Sequence, residues 1–243
     1  MDPKLEPVID RGGQPSWQRT APVAVDAGGD RQRVLRNTSW LLALSLLPTI
    51  AGAVLGQGLN LSQVFLAHPV AAPLLMFGGA MAVMMVVQAL RNSVWGVVAL
   101  LGFTFIMGLF LTPILTHAAH LRNGWQLVAL AGGMTSAVFF TMATVATVTK
   151  KDFSFLGNFL TVGIVLLLVA MVANLFFQIP ALALALSAVS VLLFSAFLLY
   201  DLSNIVNGGE TNYISATLKV YLDLYNIFVS LLNLLMAFSG QRD

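Results

Sequence analysis

Two aspartates are the residues of this chain best suited to chemistry, because both lie inside long apolar segments. Asp201 and Asp223 stand in such segments, whereas the other eight acidic residues occupy the N-terminal region, polar connections or the last position. An ionised carboxylate inside hydrocarbon costs several kcal/mol unless it is paired, hydrated or protonated. Each of the two aspartates is therefore a candidate functional residue.

The spacing of the two aspartates suggests that they meet. Each lies eleven residues from Asn212, the centre of the predicted hairpin between the last two spans. A helical rise of 1.5 Å per residue puts both at similar depth, roughly 10 Å inside the cytoplasmic end. Carboxylates that face each other there would share a proton or hold a cation. The alternative is that neighbouring Tyr, Asn or backbone groups satisfy each aspartate separately.

Polar residues form a stripe along the last span. They recur at a spacing of four, three, four and three residues, which places them on one face of a helix. This helix cannot turn that face to lipid, so we expect it to lie at the centre of the bundle. The stripe is compatible with a pore and equally with structural hydrogen bonding. Its members are Lys219, Asp223, Asn226, Ser230 and Asn233.

Other candidate residues give weaker signals. Arg91 ends the second span, where it would reach an aspartate as a latch or simply anchor the helix end at the membrane surface. His117 and His120 have a metal-compatible spacing but lack a nearby third ligand. The sequence has no cysteine and no GxxxxGK[ST], HExxH or GxSxG motif. We therefore expect neither an enzyme nor a cofactor.

The composition requires a membrane protein. Hydrophobic residues make up 58% of the chain and charged residues 9%, and the mean hydropathy is +0.87. The basic residues are scattered, which argues against nucleic acid as a partner. We predict an all-α polytopic membrane protein, a seven-transmembrane-helix bundle with the last helix central. Whether that last helix crosses completely or re-enters stays open. The predicted spans are 39–57, 70–90, 93–116, 125–148, 157–178, 182–206 and 216–238.

The chain divides into two regions of different composition. Residues 1–36 are rich in Pro, Gly and charges of both signs, which predicts a disordered cytoplasmic tail. Residues 37–243 form the predicted seven-helix transmembrane domain. The cytoplasmic N-terminus follows from the excess of Lys and Arg at one side of the spans. That side has Arg31, Arg33, Arg36, Arg91, Lys150, Lys151 and Lys219, and the other has Arg122 and Arg242.

Several sequence segments are similar to the Bax-inhibitor superfamily, also called the transmembrane Bax-inhibitor-motif family. The most specific are residues 204–217 (NIVNGGETNYISAT) and 224–232 (LYNIFVSLL). They resemble in particular the bacterial branch of YccA-like modulators of the FtsH protease. The resemblance extends from about residue 33 to the end. Further matching segments are 34–38 (VLRNT), 151–157 (KDFSFLG), 171–174 (MVAN) and 178–182 (QIPAL).

The resemblance implies two functions, which stand as competing hypotheses. The first is regulation in a bacterial inner membrane, in association with FtsH-type protease and HflK–HflC-like partners. Such a protein is a substrate that slows the degradation of other membrane proteins, and the tail would serve as the unfolded handle that the protease pulls. The second is a pH-gated calcium leak, because other superfamily members are gated by an aspartate pair in their last two helices. Asp201 and Asp223 occupy the positions of that pair.

Overall fold

The computed structural model describes residues 27–240, and all regular secondary structure within that range is α-helical. The helices alternate with short connections, as expected for antiparallel neighbours in a membrane bundle. Their bounds are α1 Ala27–Gly58, α2 Leu61–Ala67, α3 Ala71–Leu90, α4 Val94–Phe110, α5 Thr112–Ala119, α6 Gly124–Thr149, α7 Leu156–Phe177, α8 Pro180–Asn207 and α9 Tyr213–Gly240.

Seven spans in the described range are long and apolar enough to cross a membrane, which confirms the predicted number. The third span, Val94–Ala119, consists of two helices, α4 and α5. The break falls at Leu111 because Pro113, in the first turn of α5, has no N–H to continue the hydrogen-bond ladder. The short helix α2 lies between the first two spans and was not predicted.

Helix α9 lies at the centre of the bundle, as the polar stripe predicted. It packs against α1, α3, α4, α5, α6 and α8. It runs without interruption over Tyr213–Gly240, so it does not turn back within the membrane. A helix of this length exceeds the ~30 Å of a hydrocarbon core. The chain is thus an all-α polytopic membrane protein with a central last helix.

The first helix begins earlier than the sequence indicated. Helix α1 starts at Ala27, so residues 27–36 belong to a helix rather than to the predicted tail. Val34 and Leu35 pack against the core, and the hydroxyl of Thr217, which donates to the carbonyl of Tyr213 at 2.7 Å, lies 3.5 Å from the main-chain oxygen of Thr38. These contacts extend the helix beyond the boundary that composition suggested. Residues 1–26, the rest of the predicted tail, lie outside the described residues.

Helices α1 and α4 approach each other at two glycines. A Cβ at Gly52 would overlap the main-chain oxygen of Phe105, and a Cβ at Gly108 would overlap that of Thr49. Small residues allow such backbone contact in membranes, where packing rather than water exclusion holds helices together. This contact orients α1 so that Thr49 points to the central helix.

Candidate functional site

The hairpin between α8 and α9 is organised by two asparagines. Helix α8 ends with Gly208 in the left-handed region (φ 80°), and the carbonyl of Asn204 then accepts hydrogen bonds from the N–H groups of Gly209 (2.8 Å) and Glu210 (3.3 Å). The side-chain oxygen of Asn212 accepts from the N–H groups of Ile214 and Ser215, both at 3.0 Å. Asn212 therefore caps α9. These contacts hold the antiparallel pair of helices that carries the two aspartates.

Asp201 and Asp223 meet between α8 and α9. Both are buried, with 7% and 5% of their surface exposed, and their carboxyl groups lie close enough for each to act on the other. Two carboxyl groups form a hydrogen bond only when one carries a proton, because an ionised carboxylate only accepts. Two buried carboxyl groups in this arrangement are chemically suited to share one proton.

One oxygen of the aspartate pair lacks a hydrogen-bond donor within the described part of the chain. The Oδ2 atom of Asp223 is buried and has no hydrogen-bond partner among residues 27–240. Calcium takes six to eight oxygen ligands, of which this pair supplies at most four. A calcium ion would therefore need water or further oxygens to complete its shell, whereas a proton needs only the two carboxyl groups.

Lys219 joins the aspartate pair to the surface of the hairpin. Its ammonium nitrogen lies 2.9 Å from Oε2 of Glu210, and its charge also acts on Asp201. Burial opposes ionisation of Glu210, but the hydrogen bonds from Lys219 and from the N–H of Asn212 outweigh it. The pKa of Glu210 is therefore below its ordinary value. The sequence placed Glu210 only in a loop, and its ion pair with Lys219 was not predicted.

Arg91, the predicted latch, lies beside Glu210. It is exposed at the end of α3, and its charge acts on Glu210. Its main-chain oxygen accepts a hydrogen bond from Nδ2 of Asn212 at 2.9 Å. Among the described residues it forms no ion pair with Asp201 or Asp223. The latch stays a prediction, and the observed contact is with the hairpin.

The remaining members of the polar stripe lie further along α9. Asn226 donates to the carbonyl of Leu222 in its own helix at 2.8 Å. Ser230 is buried and Asn233 is half-buried. The stripe thus brings Lys219 and Asp223 to charged partners, while Asn226 is satisfied within α9.

A second polar face of α9 was not recognised from the sequence. Tyr221 and Thr49 of α1 share a hydrogen bond at 2.8 Å, and Tyr225 donates to the main-chain oxygen of Met107 of α4 at 3.2 Å. The ring of Phe103 contacts Tyr221 edge-on, with centroids 6.2 Å apart. The signal was present, since Tyr221 and Tyr225 are four residues apart and share a face. These contacts fix the rotation of α9 and so direct Asp223 toward α8.

Three segments gather around this hairpin at one end of the bundle. The N-terminal part of α1 is joined to it through Thr38 and Thr217, and the α3–α4 connection through Arg91 and Asn212. The α6–α7 connection is joined to α8 because Ser203 donates to the carbonyl of Lys151 at 2.8 Å. These are the segments predicted to share one side of the membrane. Seven of the eight described Lys and Arg residues lie at this end, and Arg122 lies at the other.

A seven-span bundle around a central helix, with two buried aspartates between its last two helices, defines a polytopic helical membrane protein. The chain belongs to the Bax-inhibitor family: the family model described as inhibitor of apoptosis-promoting Bax1 matches residues 31–240. This confirms the resemblance found in the sequence.

Relatives of this chain include bacterial membrane proteins. It is 42% identical over 203 residues to the modulator of FtsH protease YccA of Escherichia coli K12, which covers 84% of this chain and 89% of that protein. The same identity and coverage relate it to the inner membrane protein YccA of Escherichia coli O6:H1. It is 36% identical over 221 residues to an uncharacterized membrane protein of Vibrio cholerae, covering 91% of this chain and 96% of that protein.

Proposed function

We propose that this protein is an inner-membrane modulator of FtsH-type proteolysis and does not act as an enzyme. The observation that carries the proposal is the 42% identity, over 84% of the chain, to a protein named modulator of FtsH protease. An inner-membrane location agrees with the name of the second Escherichia coli relative. FtsH-type protease and HflK–HflC-like proteins are the proposed partners.

In this proposal the N-terminus lies in the cytoplasm and residues 1–26 provide the handle for the protease. The excess of Lys and Arg at the end where α1 begins supports the orientation. The composition of residues 1–26, rich in Pro, Gly and mixed charges, supports the handle.

A chase experiment tests both parts of this proposal. Overproduction of the full chain should lengthen the half-life of a separate FtsH membrane substrate, and the chain itself should be degraded only where the protease is active. Deletion of residues 2–26 should lengthen its own half-life several-fold. A control variant with residues 2–26 scrambled keeps the composition and should be degraded like the full chain. An unchanged substrate half-life would reject the modulator, and equal half-lives of full and truncated chains would reject the handle.

A second candidate function is a pH-gated cation leak. It is favoured by the buried contact between Asp201 and Asp223, together with the unpartnered Oδ2 of Asp223. In liposomes that contain a calcium dye, the purified chain should give a flux that changes between about pH 5 and 8. Asp201→Asn and Asp223→Asn should each remove that dependence, and Asp152→Asn, in an exposed loop, should preserve it. A flux equal to that of empty liposomes would reject the leak.

A further inference from the structure

At the end of the bundle opposite the α8–α9 hairpin, α6 begins and α9 ends. A groove of about 590 Å³ lies between these helices. This is within the ~300–1,000 Å³ range of sites that hold small molecules. Asn123 and Ser239 close its end by exchanging hydrogen bonds at 3.1 and 3.2 Å, which tie the start of α6 to the end of α9.

The lining of the groove changes from polar to apolar along α6. Arg122, Asn123 and Gln126 line one part of it, and Leu130 and Phe238 line the other. Leu130 lies six residues after Gly124, the first residue of α6, which puts it about 9 Å deeper at 1.5 Å per residue. The groove therefore extends from the level of lipid headgroups into the hydrocarbon.

The charge of Arg122 has no acidic counterpart at this end among residues 27–240. All described acidic residues lie at or near the hairpin end of the bundle, in α1, the α6–α7 connection, α8, the hairpin or the first half of α9. Arg122 forms no ion pair within residues 27–240. Trp125, 60% exposed in the first turn of α6, marks the interfacial layer beside it. Arg122 is the one cation that the described residues place at this end, and a cation above an apolar channel complements an anionic amphiphile.

We propose that this groove binds one anionic phospholipid. The headgroup phosphate pairs with Arg122 and accepts hydrogen bonds from Gln126, while an acyl chain lies along Leu130 and Phe238. The lipid is a stabilising ligand between α6 and the central helix, at the end of α9 far from the aspartate pair. This site is independent of the protease and leak functions.

Fluorescence quenching at Trp125 tests the proposal. In the full-length chain with Trp17, Trp40 and Trp95 changed to Phe, the indole of Trp125 reports on lipid at the groove. Nanodiscs are prepared with equal mole fractions of brominated phosphatidylglycerol or brominated phosphatidylcholine in an unlabelled background. We expect quenching by phosphatidylglycerol to be at least twofold stronger. Arg122→Gln should make the two lipids equivalent, and the matched control Arg36→Gln, exposed at the other end, should keep the preference.

The outcomes separate the proposal from its alternatives. Equal quenching by both lipids, or a preference that survives Arg122→Gln, would show that Arg122 is only an interfacial anchor. A preference for phosphatidylglycerol that is seen only after residues 241–243 are deleted would show that the C-terminal carboxylates occupy the groove. That result would also overturn the proposal. The lipid site is supported only if the native chain prefers phosphatidylglycerol and Arg122→Gln loses that preference.

Discussion

The ammonium nitrogen of Lys219 lies 2.9 Å from a carboxylate oxygen of Glu210, and this ion pair links the surface hairpin to the buried acidic pair. Lys219 is one helical turn before Asp223 on the same face of α9, and its charge also acts on Asp201. Glu210 therefore competes with Asp201 for one cation. Any titration of the aspartates would therefore take place within this wider group of charges.

Glu210→Gln should destabilise the hairpin at neutral pH and not in acid. The pKa of Glu210 is lowered on folding, so its contribution to stability is complete above the ordinary value of 4.5 and is lost as the pH falls through the lowered pKa. A partly exposed ion pair contributes about 1 kcal/mol or less. Thermal unfolding in detergent should show a lower Tm for the variant at pH 7 and equal values near pH 3. The same difference at both pH values would mean that the charge of Glu210 is not responsible.

Asp201 and Asp223 should titrate as a coupled pair. When two carboxyl groups share a proton, the protons leave in two steps that belong to the pair. Infrared spectra of the protonated carboxyl band should show two steps in the native chain and one step in Asp201→Asn or Asp223→Asn. Asp152→Asn serves as the exposed control and should leave both steps unchanged. Independent titration of the two groups would show that they are separate buried hydrogen-bonding residues.

Gly108→Ala should destabilise the bundle by about 2 kcal/mol, because its methyl group would overlap the main-chain oxygen of Thr49 and force α1 away from α4. Gly102→Ala, on the same helix, is the matched control. A Cβ there meets nothing within 4 Å, so the variant should be neutral or slightly more stable through helix propensity. Thermal unfolding of the two variants measures the difference. Equal melting temperatures would argue against close contact between α1 and α4.

The orientation of the bundle is testable with single cysteines, since the native chain has none. Thr211 is exposed in the α8–α9 hairpin, and Arg122 is exposed at the other end of the bundle. The test uses Thr211→Cys and Arg122→Cys as separate variants. If the N-terminus is cytoplasmic, a membrane-impermeant maleimide should label Arg122→Cys in intact cells. It should label Thr211→Cys only after the cells are opened. The reverse pattern would invert the proposed topology.

The spans and the location of the aspartates follow from local chemistry. Long apolar runs and buried carboxylates can be read directly because hydrocarbon penalises every exposed polar group, whatever the neighbouring helices are. The same penalty predicted that α9 is central, since its polar stripe extends from Lys219 to Asn233. The start of α1 could not be predicted from composition, because residues 27–36 are mostly polar. Their helix depends on the packing of Val34 and Leu35 against the core.

Tertiary structure decided which polar groups meet. Sequence spacing brought Asp201 and Asp223 to similar depth, but the rotation that makes them face each other depends on Tyr221 and Tyr225 packing against other helices. The partnership of Glu210 with Lys219 and the groove beside Arg122 also join residues far apart or on different elements. Helix rotation and loop conformation are set by contacts among several helices at once. The periodicity of a single helix shows which face is polar, and only the packed bundle determines what that face touches.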